Sequence, residues 1–207
     1  LIHNRALSKY VKQNYSLDEV HDLRSYLEEK QVFHFPALDN GLFPAGQFTT
    51  GAASVSGYNY VWVRDNCHIA HAHYVNGKIS PAVENVRSAA SYFYKHKARF
   101  EDIIEGRSDP HEPMNRPHIR FAGDRLEEIQ QKWAHAQNDA LGYFLWLYCL
   151  LVADGACKPS PEELELLARF VAYFRTIRFW QDEDSGHWEE VRKIGASSLG
   201  VVIGALR

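Results

Sequence analysis

The chain has little cysteine, no long apolar run and no concentration of basic charge, and each shortage closes off a class of protein. Its three cysteines, Cys67, Cys149 and Cys157, show no CxxC spacing. An odd number cannot pair off completely, so a disulfide scaffold and a thiolate zinc site are both excluded and reduced thiols are expected. The longest apolar run, from Ala140 to Ala153, is shorter than the roughly 20 residues that span a bilayer. Gly142 and Trp146 within it suit a buried helix, and no membrane segment is expected. Lys and Arg are scattered through a chain of net charge -3, without the stripe or arm that neutralises a phosphate backbone, which excludes nucleic acid as a partner. The chain opens at Leu1 without a secretory leader, and with its reduced thiols this points to a cytoplasmic location. Clean period-two alternation is rare and no solenoid-length repeat is visible.

What is present is an ordinary globular balance, 45% hydrophobic and 24% charged over 207 residues, enough to bury a sizeable core. Apolar residues recur at helical spacing between Gly and Pro punctuation, so the fold class is mainly α. One helix is expected from Ile2 to Asn14. A second follows the capping box of Ser16 and Glu19 and runs to about Lys30. Residues 31 to 60, rich in Gly, Pro, Thr and Ser, read as short strands and a long ordered loop of the kind that often builds sites. Trp62 to Val75 is helical; Pro81 opens another helix that ends before Pro110. Ile119-Arg120-Phe121 is extended. Gln137 to Ala153 is the most apolar helix, ended by Gly155, and Ser160-Pro161-Glu162-Glu163 opens a helix reaching about Phe179. A last, small-residue helix starts at Ser197.

Three blocks carry the chemistry. The first is Gly57-Tyr58-Asn59-Tyr60-Val61-Trp62-Val63-Arg64-Asp65, which sets an arginine and a carboxylate beside aromatic rings. Sugars need bidentate charged partners for their hydroxyls and flat apolar faces for their C–H surfaces. The second is Trp133-Ala134-His135-Ala136-Gln137-Asn138-Asp139-Ala140-Leu141-Gly142. The third is His187-Trp188-Glu189-Glu190-Val191-Arg192, followed by Ala196-Ser197-Ser198-Leu199-Gly200. In this order and spacing the blocks resemble the glucoamylase-type glycoside hydrolases of family 15, to which the phosphorylase kinase alpha and beta subunits are related.

The resemblance implies an all-α fold, an (α/α)6 toroid of twelve helices, of which residues 1–207 cover roughly the first half. No internal domain boundary is assigned. Half a toroid exposes an apolar seam, so the missing half, a second copy or a different closure is required. Inverting cleavage needs one protonated carboxyl on the leaving oxygen and one carboxylate activating water from the opposite face. The family's general acid falls on Glu189, and burial against Trp188 is expected to keep it protonated. The general base belongs to the family's later half. Asp184 and Glu190 lie too close in sequence to Glu189 to serve.

Arg64 and Asp65 match the pair that holds hydroxyls of the first glucose, each charged hydrogen bond contributing roughly 1.5–3 kcal/mol. Tyr58, Trp62 and Trp133 match the aromatic residues of that subsite. Gln137 and Asp139 fit the family's Gln-x-Asp element, and Trp188 and Glu190 complete the binding set. The expected substrate is an α-linked glucoside oligosaccharide or polysaccharide, with water as nucleophile and neither a metal nor an organic cofactor. Glu190-Val191-Arg192 leans toward the hydrolases and Val63-Arg64-Asp65-Asn66 toward the kinase subunits, which leaves a non-catalytic, sugar-sensing protein as the alternative. A metal-dependent hydrolase built on Asp65, His68, His71 and His73 lacks an HExxH motif. A Cys67–His68 nucleophile lacks an orienting third group.

Overall fold

In the computed structural model the described residues are 5–46, 58–189 and 191–207. They fall into two compact units, residues 1–35 and 36–207. In the first, Ser16 caps α1 (Leu17–Glu29): its hydroxyl accepts the Glu19 N–H at 3.3 Å and the Glu19 side chain accepts the Ser16 N–H at 2.9 Å. The expected helix from Ile2 to Asn14 is, among its described residues, a short 3₁₀ segment, Arg5–Tyr10. Tyr15 explains the early stop, since its hydroxyl donates to Tyr10 O at 2.6 Å and bends the chain back toward α1. Tyr10 stacks on Tyr26 with ring centroids 4.5 Å apart.

The second unit holds six α-helices among its described residues: α2 (Val63–Val75), α3 (Ile79–Lys95), α4 (Ala98–Ile104), α5 (Asn138–Ala153), α6 (Pro161–Thr176) and α7 (Ala196–Ala205). A small antiparallel sheet joins β1 (Val61–Trp62), β2 (Arg120–Ala122) and β3 (Glu127–Glu128), in register Trp62 with Arg120 and Phe121 with Glu128. Two expectations need correcting. Pro81 is the third residue of α3 and not the first, and the single helix foreseen up to Pro110 is two helices. The break falls at His96, whose ring bonds Leu126 O at 2.9 Å and leans tilted against Tyr92 at 4.9 Å, pinning the chain to the turn between β2 and β3. Gly106, at φ +72, then ends α4 in the left-handed conformation. Of the strands expected within 31–60, the described residues contain a Pro44–Val61 bridge; residues 47–57 lie outside the described residues.

The core is aromatic. Phe93 of α3, Phe144 of α5 and Phe170 of α6 meet pairwise at 5.1 Å, and Phe100 of α4 reaches Phe170 at 4.6 Å. Such pairs add about 0.5–1.5 kcal/mol each beyond the area they bury. Tyr92 lies flat on Phe121 at 3.7 Å, coupling α3 to the sheet. Buried Asn66 accepts the Phe43 N–H and donates to Phe43 O and Trp62 O, fixing the chain that enters α2.

α5 and α7 approach closely at Gly142, where an added Cβ would stand 2.9 Å from Val201 Cγ1 and 3.2 Å from the Val202 backbone nitrogen. Gly142→Ala is therefore expected to destabilise: overpacking costs about 1–3 kcal/mol, offset in part by about 1 kcal/mol of helix propensity. A thermal midpoint a few degrees lower is the expected result. An unchanged or raised midpoint would show that α7 yields freely.

Candidate active site

The site forms where α2 and α5 begin. Arg64 stands in the first turn of α2, and Gln137 and Asp139 bracket the start of α5. Arg64 Nη1 donates to Gln137 Oε1 and to Asp139 Oδ2, both at 2.9 Å, and Nη2 donates to the His187 carbonyl oxygen at 2.9 Å. The Arg64 side chain is 12% exposed and that of Asp139 1%, so the pair is largely desolvated. Asp139 also lies at the positive end of the α5 dipole, where negative charge is favoured.

The loop over residues 182–189 is fixed at its base by two buried carboxylates. Asp182 receives both guanidinium ends of Arg116, at 2.6 and 2.7 Å, and the Asn138 side-chain amide at 2.8 Å. Asp184 accepts the Asn138 backbone N–H and the Ser198 hydroxyl, each at 2.8 Å, and so caps α5 from a distant part of the chain. Burial pushes the Asp184 carboxyl above its ordinary range, against the pull of those two donors. Asp184, weighed above as a general base, is thus a buried anchor.

Glu189 closes the loop. Its Oε1 accepts Trp133 Nε1–H at 2.9 Å and Gln137 Nε2–H at 3.0 Å. Its φ is +55, a left-handed conformation that costs an ordinary residue on the order of 1–2 kcal/mol. The two side-chain donors, together with the tether from Arg64 to His187, hold it there. Glu189 opens onto a cleft of about 450 Å³ lined also by Glu112, Met114, Lys132 and Trp133. Glu112 is itself engaged in capping the 3₁₀ turn Pro113–Asn115. Trp62 meets Trp133 edge to face at 5.5 Å, and Arg120 lies against both rings.

The structure therefore gathers Trp62, Arg64, Trp133, Gln137 and Glu189. Two expectations change. Arg64 pairs with Asp139 across 75 residues rather than with its neighbour Asp65, which is exposed. Trp188 does not bury Glu189: it is 74% exposed, with its ring against His187 at 4.7 Å. Tyr58 is 52% exposed. Glu190 lies outside the described residues. His68 and His71 face the rings of Tyr143 and Trp146, at 4.6 and 5.0 Å. Sequence reasoning missed Arg120, which reads as an ordinary charge in an extended triplet.

The segment carrying Trp133 rests on a buried histidine pair. His118 and His135 stack 3.7 Å apart, and His135 Nδ1 accepts the Ile119 N–H at 3.3 Å. Burial first, then the neighbouring His118, pushes His135 from 6.5 down to about 2. The unfolded chain takes up that proton near 6.5 and the fold only near 2, so stability present above 6.5 is lost as pH falls. Between pH 7 and 5 the loss is expected to be about 2 kcal/mol. His135→Gln should flatten the dependence of the thermal midpoint on pH over that range; an equal drop in parent and variant would refute the assignment.

Paired helices thus present a carboxylate held by Trp133 and Gln137, beside Trp62, Arg64 and Arg120. The chain belongs to the glycosyl hydrolases family 15, whose family model matches residues 24–207. Among solved structures it is similar to a glycosidase variant in complex with glucose, 21% identical with TM-score 0.71, and to a wild-type glycosidase, 20% identical with TM-score 0.67. Each likeness covers 93% of this chain and 51% of the other, so the chain spans about half the length of the solved glycosidases it matches. The fold is all-α and of the (α/α) glycosidase type, this chain supplying a part of it. A curated relative, the uncharacterized lipoprotein YgeQ of Escherichia coli (strain K12), is 27% identical over 207 residues, 89% of this chain and 77% of the relative. The expected cytoplasmic location is overturned by that likeness to a lipoprotein. It rested on an odd cysteine count and on the chain's first residues, neither of which fixes a compartment.

Proposed function

We propose that the protein containing this chain is an inverting glycosidase that releases glucose from α-linked glucosides, with Glu189 as the general acid. The observation that carries this reading is the placement of Glu189: a carboxyl in left-handed backbone, its Oε1 held by Trp133 and Gln137. One oxygen fixed by two neutral donors leaves the group aimed with no ion pair among the described residues. Glu189 delivers its proton to the glycosidic oxygen as the bond to the sugar breaks, and a water activated by a second carboxylate attacks from the opposite face. That second carboxylate belongs to the family's later half. Trp62 and Trp133 cover the sugar's C–H face. Tyr58 belongs to the same first subsite, where Arg64, Asp65 and Gln137 order the hydroxyl side, and Trp188 and Glu190 complete the binding set.

The anomer released first tests this reading. With an α-linked maltooligosaccharide, proton NMR over the opening minutes should show β-glucose before mutarotation. First appearance of α-glucose would overturn inversion, and sugar binding without any release would leave the non-catalytic alternative.

A further inference from the structure

Arg116 and Arg120 are both almost fully buried, at 0% and 4% exposure, yet only Arg116 is held in an ion pair among the described residues. Arg116 has Asp182 at 2.6 Å. Arg120 makes no ion pair among the described residues: its Nη1 and Nη2 reach Gln131 Oε1 at 3.4 Å, and its Nε has no partner. Its neighbours are rings. The guanidinium lies 4.0 Å from the Trp133 centroid, 4.9 Å from Tyr60 and 5.7 Å from Trp62. Register between β1 and β2 sets it opposite Trp62. Burial works against this charge; the field of the Glu189 carboxylate opposes burial without forming an ion pair, and facing rings recover only part of the cost. Features that violate a packing rule without a local gain concentrate at functional sites.

The ring nearest Arg120 belongs to Trp133, the residue whose Nε1–H holds Glu189. A cation against an indole face draws electron density from the ring, which strengthens the N–H as a donor, and its plane stops the ring from rocking. We propose that Arg120 is a positioning residue that acts through Trp133 to aim the Glu189 carboxyl. This inference rests on the reading of Glu189 as general acid.

The test is Arg120→Met in the full-length protein, followed by kinetics, thermal unfolding and the Trp133 indole N–H resonance, assigned by its loss in Trp133→Phe. The expected result is a kcat lower by about ten- to a hundredfold with KM within about twofold. The thermal midpoint should stay level or rise, because a buried charge held in no ion pair has gone, and the indole resonance should move upfield as its hydrogen bond weakens. Arg120→Lys, which keeps the charge but not the flat fork, should recover part of the resonance shift. A lowered midpoint with the resonance unmoved would mean a purely structural arginine and would overturn the proposal, as would an unchanged kcat. Glu189→Gln separates the two readings: if it retains turnover, the general-acid assignment fails, while the resonance in Arg120→Met still reports whether Arg120 controls the Trp133–Glu189 bond.

Discussion

Glu189→Gln in the full-length protein is expected to lower turnover by about 10²–10⁴-fold, the range attributed to a positioned general acid, with little change in sugar affinity. The substitution isolates the proton. Glutamine keeps an oxygen for the Trp133 Nε1–H and Gln137 Nε2–H bonds, and it tolerates the left-handed φ of +55 no worse than glutamate does. The loop should therefore stay in place and the thermal midpoint should move little. Glucose binding by calorimetry, alongside rates on an α-linked oligosaccharide, separates the possible results. Turnover within about threefold of the parent would remove Glu189 from the role, since general acid catalysis contributes far more than that. Equal losses of affinity and rate would point to a collapsed subsite.

Asp182→Ala should produce the largest loss of stability. It leaves the Arg116 guanidinium, 0% exposed, without its bidentate partner and removes an acceptor from Asn138. Stranding one member of a buried ion pair typically costs about 3–5 kcal/mol, and at about 2–4 °C per kcal/mol for a domain of this size the thermal midpoint should fall by roughly 6–20 °C. Replacing both partners with apolar residues, Arg116→Met with Asp182→Leu, should restore much of that loss, because the unpaired charge and not the missing bond dominates the cost. A single-variant midpoint within about 2 °C of the parent would refute the argument, since even a small uncompensated charge exceeds that.

Local chemistry was legible in the sequence, and chemistry spread over the chain was legible only by analogy. The capping box of Ser16 with Glu19 forms as read because donor and acceptor lie three residues apart, and the helix expected to open at Ser160-Pro161 does so, with a second such box between Ser160 and Glu163. The apolar run closing at Asp154-Gly155 marks α5 to within a residue. Adjacency misled where the partner was distant. Arg64 beside Asp65 suggests a pair, yet consecutive residues on a helix point apart and the buried carboxylate at the start of α5 takes the guanidinium. Trp188 beside Glu189 suggested cover, but a left-handed residue turns the chain there and Trp133, 56 residues away, supplies the indole instead. The division of α3 from α4 was invisible because it depends on His96 finding Leu126.

The arginine at the start of α2 ties together segments 73, 75 and 123 residues away in the chain. Loop-closure entropy grows only with the logarithm of length, so the step from 73 to 123 residues adds about 0.5 kcal/mol. Once α2 and α5 have met, docking the loop that bears Glu189 is entropically cheap, but it must wait for that meeting. A nascent chain emerging through α6 can hold much of the aromatic core and still have nothing for Trp133 to grip.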